Sequence, residues 1–128
     1  MNFKNLPENW KVVRLGRVAD IHLGKTPHRK VKNYWYNGTI PWVKIQDMTE
    51  KLIRDTSEKV TDKAFKEVFR KNLVPKGTLL MSFKLTIDRT AFLEIDAVHN
   101  EAIVSIFPNP NLVDKNYLFL SSPGIKLF

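Results

Sequence analysis

The sequence predicts a mixed α/β fold of the α+β class: a single compact domain with a twisted, mainly antiparallel sheet, one or two short helices and a long basic loop. Three observations lead to this prediction. Apolar and polar residues alternate strictly over residues 81–88, which is the two-residue period of a strand. Apolar residues after Thr61-Asp62 have helical spacing. A length of 128 residues, 43% of them apolar, suits one domain over residues 1–128.

The N-terminal part is expected to hold two short strands and the long loop. Residues 10–15 and 19–23 are predicted as strands around a turn, or a single helical turn, at Gly16. Residues 24–38 follow as a loop containing glycine, proline and asparagine. In a compact domain, a loop of about 15 residues without secondary structure is more often functional than a plain connection. We therefore interpret this loop as a candidate functional segment.

Residues 40–47 are predicted as a strand that carries polar chemistry on one face. The two-residue period puts Val43 and Ile45 on one face and Trp42, Lys44 and Gln46 on the other. Lysine pairs with guanine and glutamine with adenine in the major groove, so the second face can read base edges. The alternative is that Trp42 lies in the core while the two polar side chains are solvated.

A helix is predicted next, because Thr61-Asp62 is a typical helix start and Asn72 a plausible stop. Its apolar stripe consists of Ala64, Phe65, Val68 and Phe69. The stripe marks the helix as scaffold, since it must be buried against another element.

The second half of the chain is expected to be mainly strands. After a turn at residues 75–77, residues 78–88 form the clearest strand, whose polar face carries Lys84, with Arg89 just beyond. These two cations can extend a nucleic-acid surface, or they are simply solvated strand charges. Two further strands are predicted at residues 91–95 and 102–107, separated by the polar segment 96–101. A short helix is predicted from Asp114 to Leu120.

Positive charge is concentrated in the first quarter of the chain. The net charge is +8 and the pI about 9.8, and residues 1–32 contain eight Lys/Arg against Glu8 and Asp20. Clustered cations attract a phosphate backbone and release its counterions, which predicts salt-dependent DNA binding. The alternative is a solvated loop on a basic protein. The candidate contacts in the loop are Lys25, Thr26, His28, Arg29, Lys30 and Lys32.

The composition and motifs argue against several other classes. The absence of cysteine removes disulfides, thiolate nucleophiles and cysteine-ligated zinc. The N-terminus lacks the apolar region of a signal peptide and no apolar stretch reaches the roughly 18 residues of a membrane span, so we expect a cytoplasmic protein without a membrane partner. The histidines His22, His28 and His99 are too scattered for a zinc pair, and no nucleophile lies beside a base.

Two enzyme classes compete with a binding module as interpretations of this sequence. A methyltransferase needs an Asn/Asp-Pro-Pro-aromatic motif near an extruded base, and the nearest string, residues 108–111, has the wrong order and no aromatic residue. A metal-dependent nuclease would use Asp88, Glu94 and Asp96 as converging carboxylates. Isolated carboxylates usually lie on solvated strand faces or turns. Neither motif therefore predicts catalysis, and no metal site is expected.

A series of short motifs runs in order through nearly the whole chain. They are Leu6-Pro7-Glu8-Asn9-Trp10, Leu15-Gly16, Gly24-Lys25-Thr26-Pro27, Tyr34-Trp35, Gly38, Ile40-Pro41-Trp42-Val43, Asp47, Ile53, Thr56, Val60-Thr61, Leu73-Val74-Pro75-Lys76-Gly77-Thr78, Asn100 and Ala102-Ile103. Together they resemble the target recognition domain of the DNA-specificity subunit of Type I restriction-modification systems. Their order makes the resemblance far more specific than any single motif.

The resemblance implies a non-catalytic DNA-binding module that reads one half of a bipartite target. Its implied partners are double-stranded DNA and the methyltransferase and restriction subunits, with S-adenosylmethionine held by the methyltransferase subunit. No cofactor and no small-molecule substrate are expected for this chain. In that family two recognition domains are separated by long helices, whereas this chain shows one such pattern and no long helical spacer. We therefore expect a C-terminally incomplete domain, either a fragment or a short, split subunit.

Within this interpretation the candidate contacts fall into two groups. Lys25, Arg29, Lys30 and Lys32 are expected to hold phosphates and so position the duplex, while Lys44, Gln46, Lys84 and Arg89 are expected to approach the bases. The alternative from another class is a non-catalytic protein-interaction module. In that case its aromatic surface and apolar C-terminal end would dock a protein, and the basic charge would be incidental.

Overall fold

The computed structural model describes residues 19–83 and 89–110. The predicted strand 10–15, the predicted helix from Asp114 to Leu120, and the candidate residues Lys84 and Asp88 lie outside the described residues. The described strands are β1 Ala19–Leu23, β2 Ile40–Val43, β3 Leu52–Ile53, β4 Glu58–Val60, β5 Leu79–Ser82, β6 Thr90–Leu93, β7 Val98–His99 and β8 Ile103–Pro108. Helix α1 spans Asp62–Glu67, and short 3-10 helices span Lys32–Tyr34 and Ile45–Asp47.

These strands form two sheets. The five-stranded sheet has the order β1-β8-β5-β6-β3, and the three-stranded sheet has the order β4-β2-β7. Pairing is antiparallel except between β3 and β6 and between β2 and β7, which are parallel. The predicted mixed α/β class with mainly antiparallel strands is confirmed. The division into two sheets is a feature that the sequence pattern did not indicate.

The five-stranded sheet is covered on both faces around its central strand. In β5, Leu80 joins the cluster that contains Val43 of the smaller sheet, while Leu79 and Met81 join a second cluster with Ile106. Ser82 is also buried. The polar face predicted for this strand is therefore not exposed at Ser82, because β5 lies between two neighbouring strands and both of its faces are packed.

The smaller sheet packs against helix α1 through a third apolar cluster. This cluster contains Trp42, Val60, Ala64, Phe69 and Val98. The helix begins as predicted, because the Thr61 hydroxyl accepts a hydrogen bond from the Ala64 amide. It ends several residues before the predicted stop at Asn72, since the chain turns into the left-handed region after Phe69. No helix in the described ranges is long and apolar enough to cross a membrane.

Other predictions of the sequence are wrong as well. The strand expected over residues 40–47 ends at Val43, and Ile45–Asp47 forms a 3-10 helix that is closed by a hydrogen bond from the Lys44 amide to Asp47 Oδ2 (3.1 Å). The polar segment 96–101 contains strand β7, which the sequence analysis missed. A two-residue strand has no recognisable period, and only its pairing with β2 defines it.

Candidate nucleic-acid interface

The basic loop between β1 and β2 is fixed at its start by main-chain contacts. The Lys25 amide donates to the His99 carbonyl of β7 at 2.9 Å. The Lys25 carbonyl accepts a hydrogen bond from Trp42 Nε1, also at 2.9 Å. A side chain at Gly24 would collide with the carbonyl oxygens of His99 and Asn100, so only glycine allows this close approach. The main chain of Lys25 is therefore held from both sides.

The end of the loop is attached to the start of α1 and to β4. The Thr61 hydroxyl donates to the Asn33 carbonyl at 2.6 Å, and the Thr61 amide donates to the Tyr34 carbonyl at 3.0 Å. Gly38 lies against the main chain of Lys59, where a side chain would have no room. The loop is thus built into the fold, although it contains little regular secondary structure. Its backbone contacts distinguish it from a loop that is merely solvated.

Arg29 lies over a pair of tryptophans at the centre of this loop. Its guanidinium carbon is 4.1 Å from the Trp35 ring centroid and 5.1 Å from that of Trp42. The two indoles meet edge to face, with centroids 5.1 Å apart and an interplanar angle of 83°. A cation over an aromatic face is attracted by the ring quadrupole, which orients the guanidinium without neutralising it.

The same guanidinium makes a two-point ion pair with Glu58 of β4. Arg29 Nη1 lies 2.6 Å from Glu58 Oε1, and Nη2 lies 3.1 Å from Oε2. Lys44 Nζ approaches the same Oε2 at 3.1 Å. Hydrogen bonding by Arg29, with a smaller contribution from Lys44, lowers the pKa of Glu58 to about 2, and the pair raises the pKa of Arg29. One carboxylate therefore holds two of the predicted DNA contacts together.

The other cations of the loop extend into solvent. Lys25, His28, Lys30 and Lys32 are exposed, and none has an ion-pair partner within the described ranges. Two of the candidate residues also have local structural roles. Thr26 Oγ1 donates to Glu101 Oε2 at 2.5 Å, and His28 Nδ1 accepts from the Lys30 amide at 3.2 Å.

The two base-reading candidates Gln46 and Arg89 lie close to one another in the fold. Gln46 is exposed on the 3-10 helix that follows Lys44. Arg89 Nη1 donates to the Ile45 carbonyl at 3.1 Å, beside that residue. The predicted polar row of Trp42, Lys44 and Gln46 does not form, because the strand ends at Val43 and Trp42 is only 2% exposed. The alternative that Trp42 belongs to the core is correct.

Sequence reasoning missed Glu58 and gave Trp35 no role beside Arg29. The sequence gives no signal for either role. Glu58 is 29 residues from Arg29 in the chain, and it lies opposite Trp42 only because strands β4 and β2 pair. The candidate metal carboxylates have separate partners: Glu94 pairs with Arg54 Nε at 2.8 Å, and Asp96 Oδ1 accepts from the Lys76 amide at 2.8 Å. The described part of the chain holds no group of three potential metal ligands.

His99 and Asn100 have structural roles in this fold. The His99 side chain is buried and its Nδ1 donates to the Asn100 carbonyl at 3.0 Å. Burial lowers the pKa of His99, which favours the neutral ring. Asn100 Oδ1 accepts from the Ala102 amide at 3.0 Å and so caps the turn before β8. Asn100, one of the motif residues of the sequence, therefore has a structural role as a turn cap.

Comparison of the chain with known proteins gives one consistent family. The family model described as "Type I restriction modification DNA specificity domain" matches residues 7–123. The MjaIX Type I restriction enzyme specificity subunit of Methanocaldococcus jannaschii is 29% identical over 118 residues, covering 90% of this chain and 27% of that protein. A Type I restriction enzyme specificity subunit of Escherichia coli is 26% identical over 129 residues, covering 97% of this chain and 31% of that protein. The chain thus spans about a quarter to a third of the length of these relatives.

Solved structures share the fold. The crystal structure of the HsdS subunit from Thermoanaerobacter tengcongensis matches with a TM-score of 0.65 and 20% identity, over 94% of this chain and 29% of that one. A structure solved to explain complex assembly and conformational transition of the type I R-M system matches with a TM-score of 0.63 and 17% identity, over 96% of this chain and 30% of that one. At these identities the likeness concerns the fold alone.

Proposed function

This chain belongs to the family of Type I restriction-modification DNA specificity domains, and from that premise we propose that it is a target recognition domain that binds double-stranded DNA sequence-specifically. In this proposal residues 1–128 form one recognition domain that reads one half of a bipartite target. The domain directs partner methyltransferase and restriction subunits and performs no catalysis itself. S-adenosylmethionine belongs to the methyltransferase subunit, and the complex acts on DNA in the cytoplasm.

The observation that carries the proposal is a basic loop whose backbone is fixed while its cations other than Arg29 are exposed and have no ion-pair partner in the described ranges. Hydrogen bonds from Trp42 and Thr61 hold the loop at Lys25 and Asn33. Ordering the loop before binding reduces the conformational entropy lost on association. A backbone that is held before binding presents its cations from defined positions to the phosphates of a duplex.

The contacts divide by position into positioning and reading groups. The loop residues Lys25, Thr26, His28, Arg29, Lys30 and Lys32 are proposed to contact phosphates and sugars. Lys44, Gln46 and Arg89 lie together beyond the loop and are proposed to approach base edges. Lys84 remains a prediction from the sequence, since it lies outside the described residues.

The loop is tested by removing two cations that the fold does not use. Lys30 and Lys32 are exposed and have no ion-pair partner in the described ranges, so Lys30→Ala/Lys32→Ala should fold like the wild type. Affinity for a short random-sequence duplex is measured as a function of salt. Each phosphate contact contributes roughly 0.9 to the slope of log K against log salt, so the slope should become shallower by about 1.8.

A matched control removes two cations from another part of the surface. Arg54 and Lys76 lie near the end of β6 that is remote from Arg89. The variant Arg54→Ala/Lys76→Ala loses the same charge and should leave the slope nearly unchanged. If the salt slope becomes shallower by the same amount in both variants, binding depends on net charge alone and the loop has no special role.

A further inference from the structure

A groove beside the start of the basic loop carries positive charge. It has a volume of about 310 Å³ and lies between β1, β7, β8 and the segment that follows α1. The residues relevant to its chemistry are Lys25, Phe69, Arg70, Asn72, His99 and Phe107. Phe69 and Phe107 provide apolar surface, while Lys25 and Arg70 are exposed cations. The groove thus combines an apolar wall with positive charge.

The lining of the groove favours an anionic ligand. Its described lining contains no carboxylate. Neither Lys25 nor Arg70 has an ion-pair partner among the described residues. His99 supplies no compensating negative charge, since an imidazole is either neutral or cationic. Two uncompensated cations beside low-dielectric walls produce a positive local potential that attracts anions.

An unusual backbone conformation places Arg70 in the groove. Arg70 and Lys71 are consecutive non-glycine residues with positive φ, at 51° and 62°. Such conformations cost on the order of 1 kcal/mol per residue and persist where surrounding contacts enforce them. Here the Lys71 amide donates to the Phe65 carbonyl and the Asn72 amide to the Phe69 carbonyl, both at 2.9 Å. The chain therefore leaves the helix with Arg70 at the groove.

The groove is continuous with the candidate interface through Lys25. Lys25 lines the groove, and its main chain is fixed by Trp42 and His99. We propose that the groove is a second DNA-contact site, in which Lys25 and Arg70 bind a backbone phosphate of the duplex that the basic loop holds. This inference rests on the proposed function and adds a segment that the sequence analysis treated only as the end of a helix.

Two substitutions at Arg70 separate its charge from its backbone conformation. Asparagine tolerates a positive φ, so Arg70→Asn removes the charge and relieves strain, whereas Arg70→Gln removes the charge and keeps the strain. Both variants should make the salt slope shallower by about 0.9 and weaken binding at low salt by roughly fivefold to tenfold. Lys66→Gln is the control, since Lys66 is exposed on α1 and does not line the groove.

Proximity to DNA is tested separately by cross-linking. Since the chain has no cysteine, Asn72→Cys supplies a single thiol at the groove for a photoreactive label. The labelled variant should cross-link to the duplex, and labelled Lys66→Cys should do so at least several-fold less. Binding of free phosphate is measured separately, by titrating inorganic phosphate at constant ionic strength and following the NMR signals of the Arg70 and Asn72 amides.

Each outcome decides the inference. Shallower slopes for both Arg70 variants, together with cross-linking at position 72, support it. Wild-type slopes for both variants overturn it, as does the absence of a cross-link at position 72 when the duplex is bound. Binding of inorganic phosphate at the groove without a DNA cross-link assigns the groove to free anions and also overturns it. If the wild-type chain binds no duplex, the proposed function fails and the inference fails with it.

Discussion

Arg29 and Glu58 are joined by two parallel hydrogen bonds, Nη1 to Oε1 at 2.6 Å and Nη2 to Oε2 at 3.1 Å. A carboxylate therefore occupies the two-point site that the guanidinium would offer to a phosphate. Lys44 approaches the same carboxylate at 3.1 Å. Glu58 both orients these two cations and reduces the charge they present, so under the proposed function DNA competes with Glu58 for them.

Replacing Glu58 by glutamine is expected to strengthen binding to random-sequence DNA. Glu58→Gln releases Arg29 and Lys44 from an internal anion, so the salt slope should steepen by about 0.9 and the affinity at low salt should rise several-fold. Fluorescence anisotropy over a salt series measures both quantities. Glu67→Gln is the control, because Glu67 pairs only loosely with Lys63 on α1, at 3.8 Å. Weaker binding by Glu58→Gln would mean that orientation of Arg29 outweighs the charge.

The same ion pair predicts an acid dependence of stability. The pKa of Glu58 is lowered from 4.5 to about 2 in the folded protein, so the folded state favours the ionised carboxylate. Its stabilisation is complete above the unfolded pKa and is lost as the pH falls from about 4.5 through about 2. Allowing for partial solvent screening, we expect roughly 1–2 kcal/mol at neutral pH.

Urea unfolding of the wild type and of Glu58→Gln as a function of pH measures this contribution. The difference in the free energy of unfolding between the two proteins should be largest above pH 4.5 and should shrink as the pH approaches 2. A substitution of Asp96 is the control, because this carboxylate accepts a backbone hydrogen bond but has no ion pair with Arg29. A difference that does not change with pH would contradict the assignment to Glu58.

Removing the indole N–H of Trp42 is expected to destabilise the loop. Trp42→Phe keeps an aromatic ring in the core but leaves the Lys25 carbonyl without its donor, which costs about 1–3 kcal/mol. The smaller ring also leaves core space unfilled, which adds to this cost. Urea unfolding gives the stability, and hydrogen exchange of the Lys25 amide reports loosening of the loop. Trp35→Phe is the comparison, because the Trp35 bond to the His28 carbonyl is longer, at 3.3 Å, and more exposed. Equal losses of stability in Trp42→Phe and Trp35→Phe would argue against a special role for Trp42.

Adding one methyl group at Gly24 is expected to displace the loop from β7. In Gly24→Ala the new side chain meets the carbonyl oxygens of His99 and Asn100, which cannot move without disturbing the sheet. Overpacking of this kind typically costs about 1–3 kcal/mol. Thermal unfolding and the salt slope of DNA binding should both change. Thr39→Ala, at an exposed position near the end of the loop, should remain within about 0.5 kcal/mol of the wild type.

Local patterns predicted several elements well. Strand β1 has the predicted bounds, and the turn at residues 75–77 forms with Gly77 at a φ of 92°. Thr61 caps its helix as expected. In each case the signal lies within a few residues of the element, where backbone preferences and side-chain capping act. The basic loop and its many cations were also evident from the sequence, because both follow from the order of residues within a short segment.

Contacts between distant residues were not predictable in this way. Residues 40–47 contain a strand followed by a 3-10 helix, because Asp47 closes a turn onto Lys44 that alternation alone does not reveal. Strand β7 exists through its pairing with β2, and Glu58 reaches Arg29 only because β4 lies beside β2. Conversely, the base-reading row predicted for Trp42, Lys44 and Gln46 fails because three elements bury the Trp42 ring.

The sequence by itself determined the mixed α/β class, the basic loop and the family resemblance, since these depend on composition, short-range periodicity and ordered motifs. Only the tertiary structure decided which cations are held by Glu58, which remain in solvent, and that Arg70 joins Lys25 at one groove. The physical reason is that electrostatic interaction depends on distance in space. Burial and ion pairing between residues far apart in the chain are fixed only when the strands pair.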